Sequence, residues 1–367
     1  MSVRKFRTVA RQTLIILAIY LAIDFGLAQI LPPEWLDPGK RADRIDKAVF
    51  DLDVPYDHDL KPNVSIDRQF GPIIYPFKTD RFGFRTGDCA GTDADLAAGK
   101  PSLFVIGDSF AEGMGLPFEQ TFAGLLACDW QRQGYAVWNL GVQSYSPLIY
   151  SYKVRASVEK LKTRPRDIFV FLDMSDIADE VLSYAEKDGR VLKAQLPPGS
   201  ETDGTFRASV GRFLQNNSVT GALALMLRLA WLQHSGHALT NHSRGSWPED
   251  PVQMKDYGEK GLALSAEHLG RIVEDCAQWN CRLTLIVYPW PNQIALDDRN
   301  NIQVRYWRDW ASRNNVRFID GFAPFFAMPK DIALRDLYLT GDVHFSAAGH
   351  RLLYRTVADA VKNDGGL

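Results

Sequence analysis

Several residue types are scarce in this sequence, and each shortage excludes a class of protein. Of 367 residues, only 4 are cysteine, 6 methionine and 7 histidine. No two cysteines stand in Cys-x-x-Cys spacing, so a thiolate zinc site is not expected, and neither a metal nor any other cofactor is. Basic residues (42) and acidic residues (44) nearly cancel, leaving a formal charge of −2 and no basic footprint for nucleic acid. Long apolar runs are scarce too: one, at residues 13–31, approaches the length of a bilayer span. What is present is ordinary globular composition, 46% hydrophobic and 23% charged, enough for one large domain or two small ones. Aromatic residues reach 11%, with nine tryptophans. Such side chains serve cores and rims as readily as they stack on sugar rings.

The single apolar run follows Arg4, Lys5, Arg7 and Arg11. A basic flank stays cytoplasmic, so the remainder of the chain is expected on the far side of the membrane. Asp24 interrupts the run and is costly in a bilayer. Gly26-Leu27-Ala28 offers a small-residue cleavage site, which makes a cleaved signal peptide the rival to a retained anchor. A buried amphipathic helix is the third alternative. Pro32 and Pro33 end the helix. The expectation is a signal anchor over residues 1–34, single-pass in a bacterial inner membrane, with the rest of the chain periplasmic. Cys89, Cys128, Cys276 and Cys281 are even in number, which permits disulfides in an oxidising compartment. Cys276 with Cys281 and Cys89 with Cys128 is one pairing; free buried thiols remain the alternative.

Two short segments carry the chemistry. Phe104-Val105-Ile106 reads as a buried strand running into Gly107-Asp108-Ser109, a sharp turn with one hydroxyl at the carboxyl end of the strand. That edge is where open α/β sheets bind ligands. A helix is expected over 119–133. Far along the chain, Gly341-Asp342-Val343-His344 precedes Ser346, the expected N-cap of a last helix over 347–361. Asp342 and His344, two apart in an extended segment, can point the same way. A carboxylate beside an imidazole fixes its tautomer, and a serine needs such a base to become a nucleophile.

With those residues in place, the chain resembles the SGNH (GDSL-type) hydrolase family over residues 80–365. Gly107-Asp108-Ser109-Phe110 resembles its first block, which implies Ser109 as nucleophile. Asn139-Leu140-Gly141-Val142-Gln143-Ser144-Tyr145-Ser146 resembles the second, implying the Gly141 amide in an oxyanion hole with that of Ser109. Asp342-Val343-His344 resembles the last, implying His344 as base oriented by Asp342. Asp80-Arg81-Phe82-Gly83-Phe84-Arg85 resembles a segment preceding the first block in envelope members. The chain departs from the family's third block: Ser175 stands where an asparagine usually donates to the oxyanion, and a hydroxyl there has a shorter reach. It also places the acid two residues before the histidine, where many members have it three before. In this it is similar to the alginate O-acetyltransferase branch.

Between these blocks, strands at 137–140, 168–172, 283–287 and 316–320 alternate with helices at 147–161, 266–279 and 302–314, the pattern of a parallel sheet. The expected fold is a three-layer, flavodoxin-like α/β domain over 101–367 with an insertion at 188–262 and a small β-rich cap or stalk at 35–100. The insertion contains an apolar helix near 219–231 and His234, His237 and His242, which are expected as solvated loop residues. Asp108, Asp176, Trp290 and Asn292 are candidate substrate contacts. The expected activity is that of a serine esterase on an O-acylated envelope or extracellular glycan. The alternatives are polysaccharide O-acetyl transfer by the same triad, which would need a membrane protein to supply the acyl donor, and a weakly active glycan-binding or assembly component. A lipase would instead surround Ser109 with a broad apolar groove.

Overall fold

The computed structural model describes residues 3–31, 47–71, 73–194, 213–214, 217–234, 239–240 and 243–363. Along the chain these form α1 (Val3–Ile30), β1 (Phe50–Asp51), β2 (Asp59–Leu60), β3 (Ser65–Phe70), β4 (Ile73–Lys78), α2 (Asp93–Ala97), β5 (Ser102–Gly107), α3 (Ser109–Glu112), α4 (Phe122–Arg132), β6 (Ala136–Asn139), α5 (Pro147–Leu161), β7 (Asp167–Leu172) and α6 (Met174–Leu182). They continue with β8 (Tyr184–Lys187), β9 (Arg190–Lys193), α7 (Val219–His234), α8 (Glu259–Trp279), β10 (Arg282–Val287), α9 (Pro291–Leu296), α10 (Ile302–Arg313), β11 (Arg317–Asp320), α11 (Phe322–Phe326), α12 (Lys330–Asp336) and α13 (Ala347–Asn363). Contacts divide the chain into two units. One comprises residues 1–47 and 196–235, the other residues 48–195 and 236–367.

The larger unit is built on a five-stranded sheet in the order β6-β5-β7-β10-β11, parallel throughout. Numbered by their appearance in this sheet the strands run 2-1-3-4-5, the flavodoxin-like order, whose direction reverses between the first and third strands. Those two strands are β5 and β7. Both are covered on each face, so their apolar residues are consecutive rather than alternating. Leu103, Phe104, Val105 and Ile106 are all 0% exposed, as are Ile168 to Leu172. Each such side chain contributes roughly 1.5–3 kcal/mol by leaving water. The strands and helices expected from the sequence form within a few residues of their apolar runs, with two informative differences. Glu119 lies in a 3-10 turn, and Thr121 caps α4 by accepting from the Gly124 N–H at 3.0 Å, so that helix is shorter than expected. Helix α8 starts seven residues before the expected 266, because Leu262 and Ser265 continue upstream the buried stripe of Leu269, Ile272 and Cys276.

Residues 48–100 belong to this same unit and contribute two antiparallel strand pairs, β1–β2 and β3–β4. Both disulfides are formed, Cys89–Cys128 and Cys276–Cys281, and among the described residues no cysteine is free. At the start of the insertion, β9 pairs with β8, which precedes residue 188, to form a hairpin. The side chains of His234, His237 and His242 lie outside the described residues.

Candidate active site

The turn after β5 is dictated by crowding. A Cβ on Gly107 would stand 2.7 Å from the Phe171 carbonyl oxygen and 2.8 Å from the Ala111 Cβ, so only glycine lets β5 run this close to β7. Asp108 then caps α3, accepting from the Phe110 N–H at 2.9 Å, and Ser109 opens the helical turn. Because β5 and β7 flank the reversal of strand order, Ser109 stands at the mouth of the crevice that order creates.

The segment from Tyr338 to Phe345 brings the base. The Leu339 N–H donates to the His344 carbonyl at 2.8 Å, and the Leu239 N–H donates to the Asp342 carbonyl at 3.0 Å. His344 Nδ1 lies 2.5 Å from Asp342 Oδ1, and His344 Nε2 lies 2.9 Å from Ser109 Oγ. An ionised carboxylate can only accept, so Nδ1 carries the hydrogen and Nε2 is left to accept from the serine hydroxyl. Burial pushes the Asp342 carboxyl up. The adjacent His344 and its hydrogen bonds outweigh that and hold the carboxyl below the usual range. The imidazole stacks on Phe110 at 4.8 Å and meets the edge of Phe70, from the tip of the β3–β4 hairpin, at 5.1 Å. The structure thus brings Ser109, His344 and Asp342 into one hydrogen-bonded line.

Behind the nucleophile lie three buried carboxyls, Asp108, Asp173 and Asp176, with oxygens within 4.8 Å of one another. Burial, then the charge of Asp173, pushes Asp108 well above the ordinary range. Burial, then Asp173 and Asp108, does the same to Asp176. Every oxygen of the cluster is already hydrogen-bonded within the protein. Asp108 Oδ1 takes the Phe110 N–H, and its Oδ2 lies 3.0 Å from Ser109 Oγ. Asp173 takes the Ser175 and Asp176 N–H groups, the Ser175 hydroxyl and Trp290 Nε1. Asp176 takes Tyr150 Oη and the Asp173 N–H. With their oxygens engaged and Asp108 and Asp176 favouring the neutral acid, these groups fit a proton-holding wall better than a cation site.

That wall corrects the expected roles of several residues. Asp176, Trp290 and Asn292 are at most 3% exposed. Trp290 Nε1 is bonded to Asp173, and Asn292 Nδ2 donates to Ser246 Oγ at 3.1 Å, so these are packing residues and not substrate contacts. Asp108, 2% exposed, reaches the site only through Ser109, whose Oγ lies 3.0 Å from its Oδ2. Two of the three donors expected for an oxyanion are committed elsewhere. The Gly141 N–H donates to Asn139 Oδ1 at 3.0 Å, and the Ser175 hydroxyl to Asp173 Oδ1 at 2.9 Å.

A different amide emerges from the same loop. Val142 N–H donates to the Gly107 carbonyl, Gln143 N–H to Glu112 Oε2 and Tyr145 N–H to the Val142 carbonyl. Among the described residues the Ser144 amide has no acceptor, and Ser144 is exposed with φ at +61°. Ser109 is likewise without a backbone acceptor for its N–H. The sequence offered one signal for Ser144: a small polar residue between Gln143 and Tyr145 in a turn.

The cap region holds this loop in place. Arg68, on β3, forms a buried ion pair with Glu112 and donates to Gln143 Oε1 at 2.6 Å. His58 Nε2 lies 2.9 Å from the Gln143 carbonyl, and Tyr184 donates to the Ser144 carbonyl at 2.6 Å. Arg85, 1% exposed, donates to the carbonyls of Glu112, Gly113 and Leu116, which explains the arginine that closes Phe82-Gly83-Phe84-Arg85.

No family model and no curated protein matches the sequence. Among solved structures the chain is similar to a lipase/acylhydrolase from Enterococcus faecalis, at 12% identity and a TM-score of 0.40, covering 72% of this chain and 96% of that one. It is similar also to a psychrotrophic esterase from Pseudoalteromonas sp., at 10% identity and a TM-score of 0.39, covering 71% and 97%. An acetylxylan esterase from Geobacillus stearothermophilus is similar at 14% identity and a TM-score of 0.39, covering 74% and 95%.

Proposed function

We propose that the protein is a serine esterase acting on O-acyl groups of an envelope or extracellular glycan, held at the outer face of the inner membrane by α1. The observation that carries the chemistry is the line from Ser109 Oγ through His344 to Asp342, with steps of 2.9 and 2.5 Å. In this reading Ser109 Oγ attacks the ester carbonyl while His344 Nε2 takes its proton. Asp342, held ionised, stabilises the imidazolium that forms. The amides of Ser109 and Ser144, which have no acceptor among the described residues, would donate to the developing oxyanion. The neutral form of Asp108 keeps a negative charge from standing beside that oxyanion. Returning the proton to the departing sugar oxygen leaves an acyl-serine. Water as acceptor completes hydrolysis, and a sugar hydroxyl would complete transfer.

Support for the location comes from the basic residues in the first turns of α1, from its apolar window at Arg11–Ile30 with a mean hydropathy of 2.0, and from the two disulfides. The test is hydrolysis of an aryl acetate by the full chain in detergent, with labelling of Ser109 by an active-site phosphonate. Acetylated xylo-oligosaccharides, with and without an unacetylated acceptor, then separate hydrolysis from transfer. A folded protein that neither turns over the ester nor takes the label is a binding or assembly component instead.

A further inference from the structure

The smaller unit pairs α1 with α7, and its packing is inverted relative to a protein in water. Along Arg11–Ile30 only Asp24 is buried, at 7% exposure, while Leu14, Ile16, Ile19 and Ile23 are 50% exposed or more. Water would select the opposite arrangement; hydrocarbon selects this one. Asp24 is covered by the start of α7. Its Oδ1 accepts from the Thr220 N–H at 2.9 Å and from Thr220 Oγ1 at 2.8 Å. Ser218 Oγ accepts from the Gly221 N–H at 2.9 Å. Two of the donors that a helix leaves open at its first turn are therefore satisfied by side chains, as a helix that starts away from water requires. Around the same point Tyr20 bonds Thr220, and the rings of Phe25 and Phe213 stand 6.0 Å apart.

Depth follows from counting. Asp24 lies six residues before Ile30, about 9 Å inside the end of the apolar window at 1.5 Å per residue. The amino end of α7 sits at that same depth because it is bonded to Asp24. Helix α7 then presents Leu223, Met226, Leu227 and Trp231 at 54%, 42%, 62% and 69% exposure, with Phe213 at 58% just before it. This surface continues the apolar surface of α1. At 16 residues α7 is about 24 Å long.

We infer that α7 is a second membrane-seated element, a partly inserted helix whose apolar face meets lipid acyl chains and whose first turn is locked to α1 by Asp24. This rests on the reading of α1 as a membrane helix and adds to it. It requires that α1 be retained, with Gly26-Leu27-Ala28 left uncleaved, because Asp24 is what holds the first turn of α7.

The native cysteines are paired, so introduced thiols can be labelled selectively. Leu223→Cys and Leu227→Cys on α7, and Ile19→Cys on α1, would carry a nitroxide in the full chain reconstituted into phosphatidylcholine vesicles. The readout is collision with oxygen, which concentrates in lipid, against a water-soluble nickel chelate. The inference expects oxygen to dominate at all three sites. Adding Asp24→Leu should shift the α7 labels toward the nickel chelate and leave Ile19 in lipid, whereas Asp24→Asn, which can still accept both bonds, should not. Nickel access at positions 223 and 227 with oxygen access at 19 overturns the α7 inference and spares the anchor. Such a face would then belong to a protein partner or to water. Nickel access at position 19, or an intact mass lacking α1, overturns the anchor itself.

Discussion

At the residue scale, the reading of the site stands on a few hydrogen bonds. Ser109→Ala should abolish ester turnover in the full chain. Asp342→Asn should lower kcat by about 10³–10⁴-fold with KM little changed, because the amide no longer fixes the His344 tautomer. Asp176 offers a different check. Its carboxyl is pushed up in the fold by burial and by its acidic neighbours, so the folded state holds the proton longer than the unfolded one. The stability this provides is complete below the unfolded value of about 4 and is lost as pH rises through the folded value. Asp176→Asn, permanently neutral and still able to accept from Tyr150 or the Asp173 N–H, should therefore raise Tm more at pH 8 than at pH 5. Equal shifts at both pH values would show that the site holds no such proton. The triad was legible in the sequence because side-chain chemistry names its parts: a hydroxyl after a buried strand, and a carboxylate two residues from an imidazole. Of the proposed oxyanion donors the Ser109 amide was legible and that of Ser144 was not. An amide's direction is set by backbone dihedrals, and a letter code does not tell that Gly141 turns its N–H to Asn139 while Ser144 leaves its own open.

At the element scale, the parallel strands were readable from consecutive apolar runs, whereas the role of residues 48–100 was not. Strands β1 and β2 have two residues each, too short for a periodic signal. Strand β3 has only one fully buried residue, and it is the charged Arg68. Its burial has meaning only beside Glu112, 44 residues away and itself 0% exposed. Arg68→Ala would strand that carboxylate and cost about 3–5 kcal/mol in denaturant unfolding. It should also lower kcat/KM, because Glu112 holds the Gln143 amide beside Ser144. An Arg68→Ala protein with wild-type stability would show that the cap does not support the loop. Helix α3 would feel a Gly107→Ala change more sharply than its four residues suggest, since the clash there is with the backbone of β7.

For the whole molecule, the two disulfides differ in reach. Cys89–Cys128 closes a separation of 39 residues and Cys276–Cys281 one of 5. On chain entropy alone the first contributes about 4 kcal/mol and the second about 2. Replacing each pair by serine and comparing Tm should rank them in that order, and protein made in a reducing compartment should melt lower than protein made in an oxidising one. The fold also distributes its chemistry unevenly along the chain, with Ser109 and His344 separated by 235 residues. Ribosomes add about 5–20 residues per second, so a nascent chain displays its nucleophile about 10–50 s before the base that activates it exists. The protein is chemically mute throughout its own synthesis, and its hydroxyl is armed only after nearly every other part has been delivered.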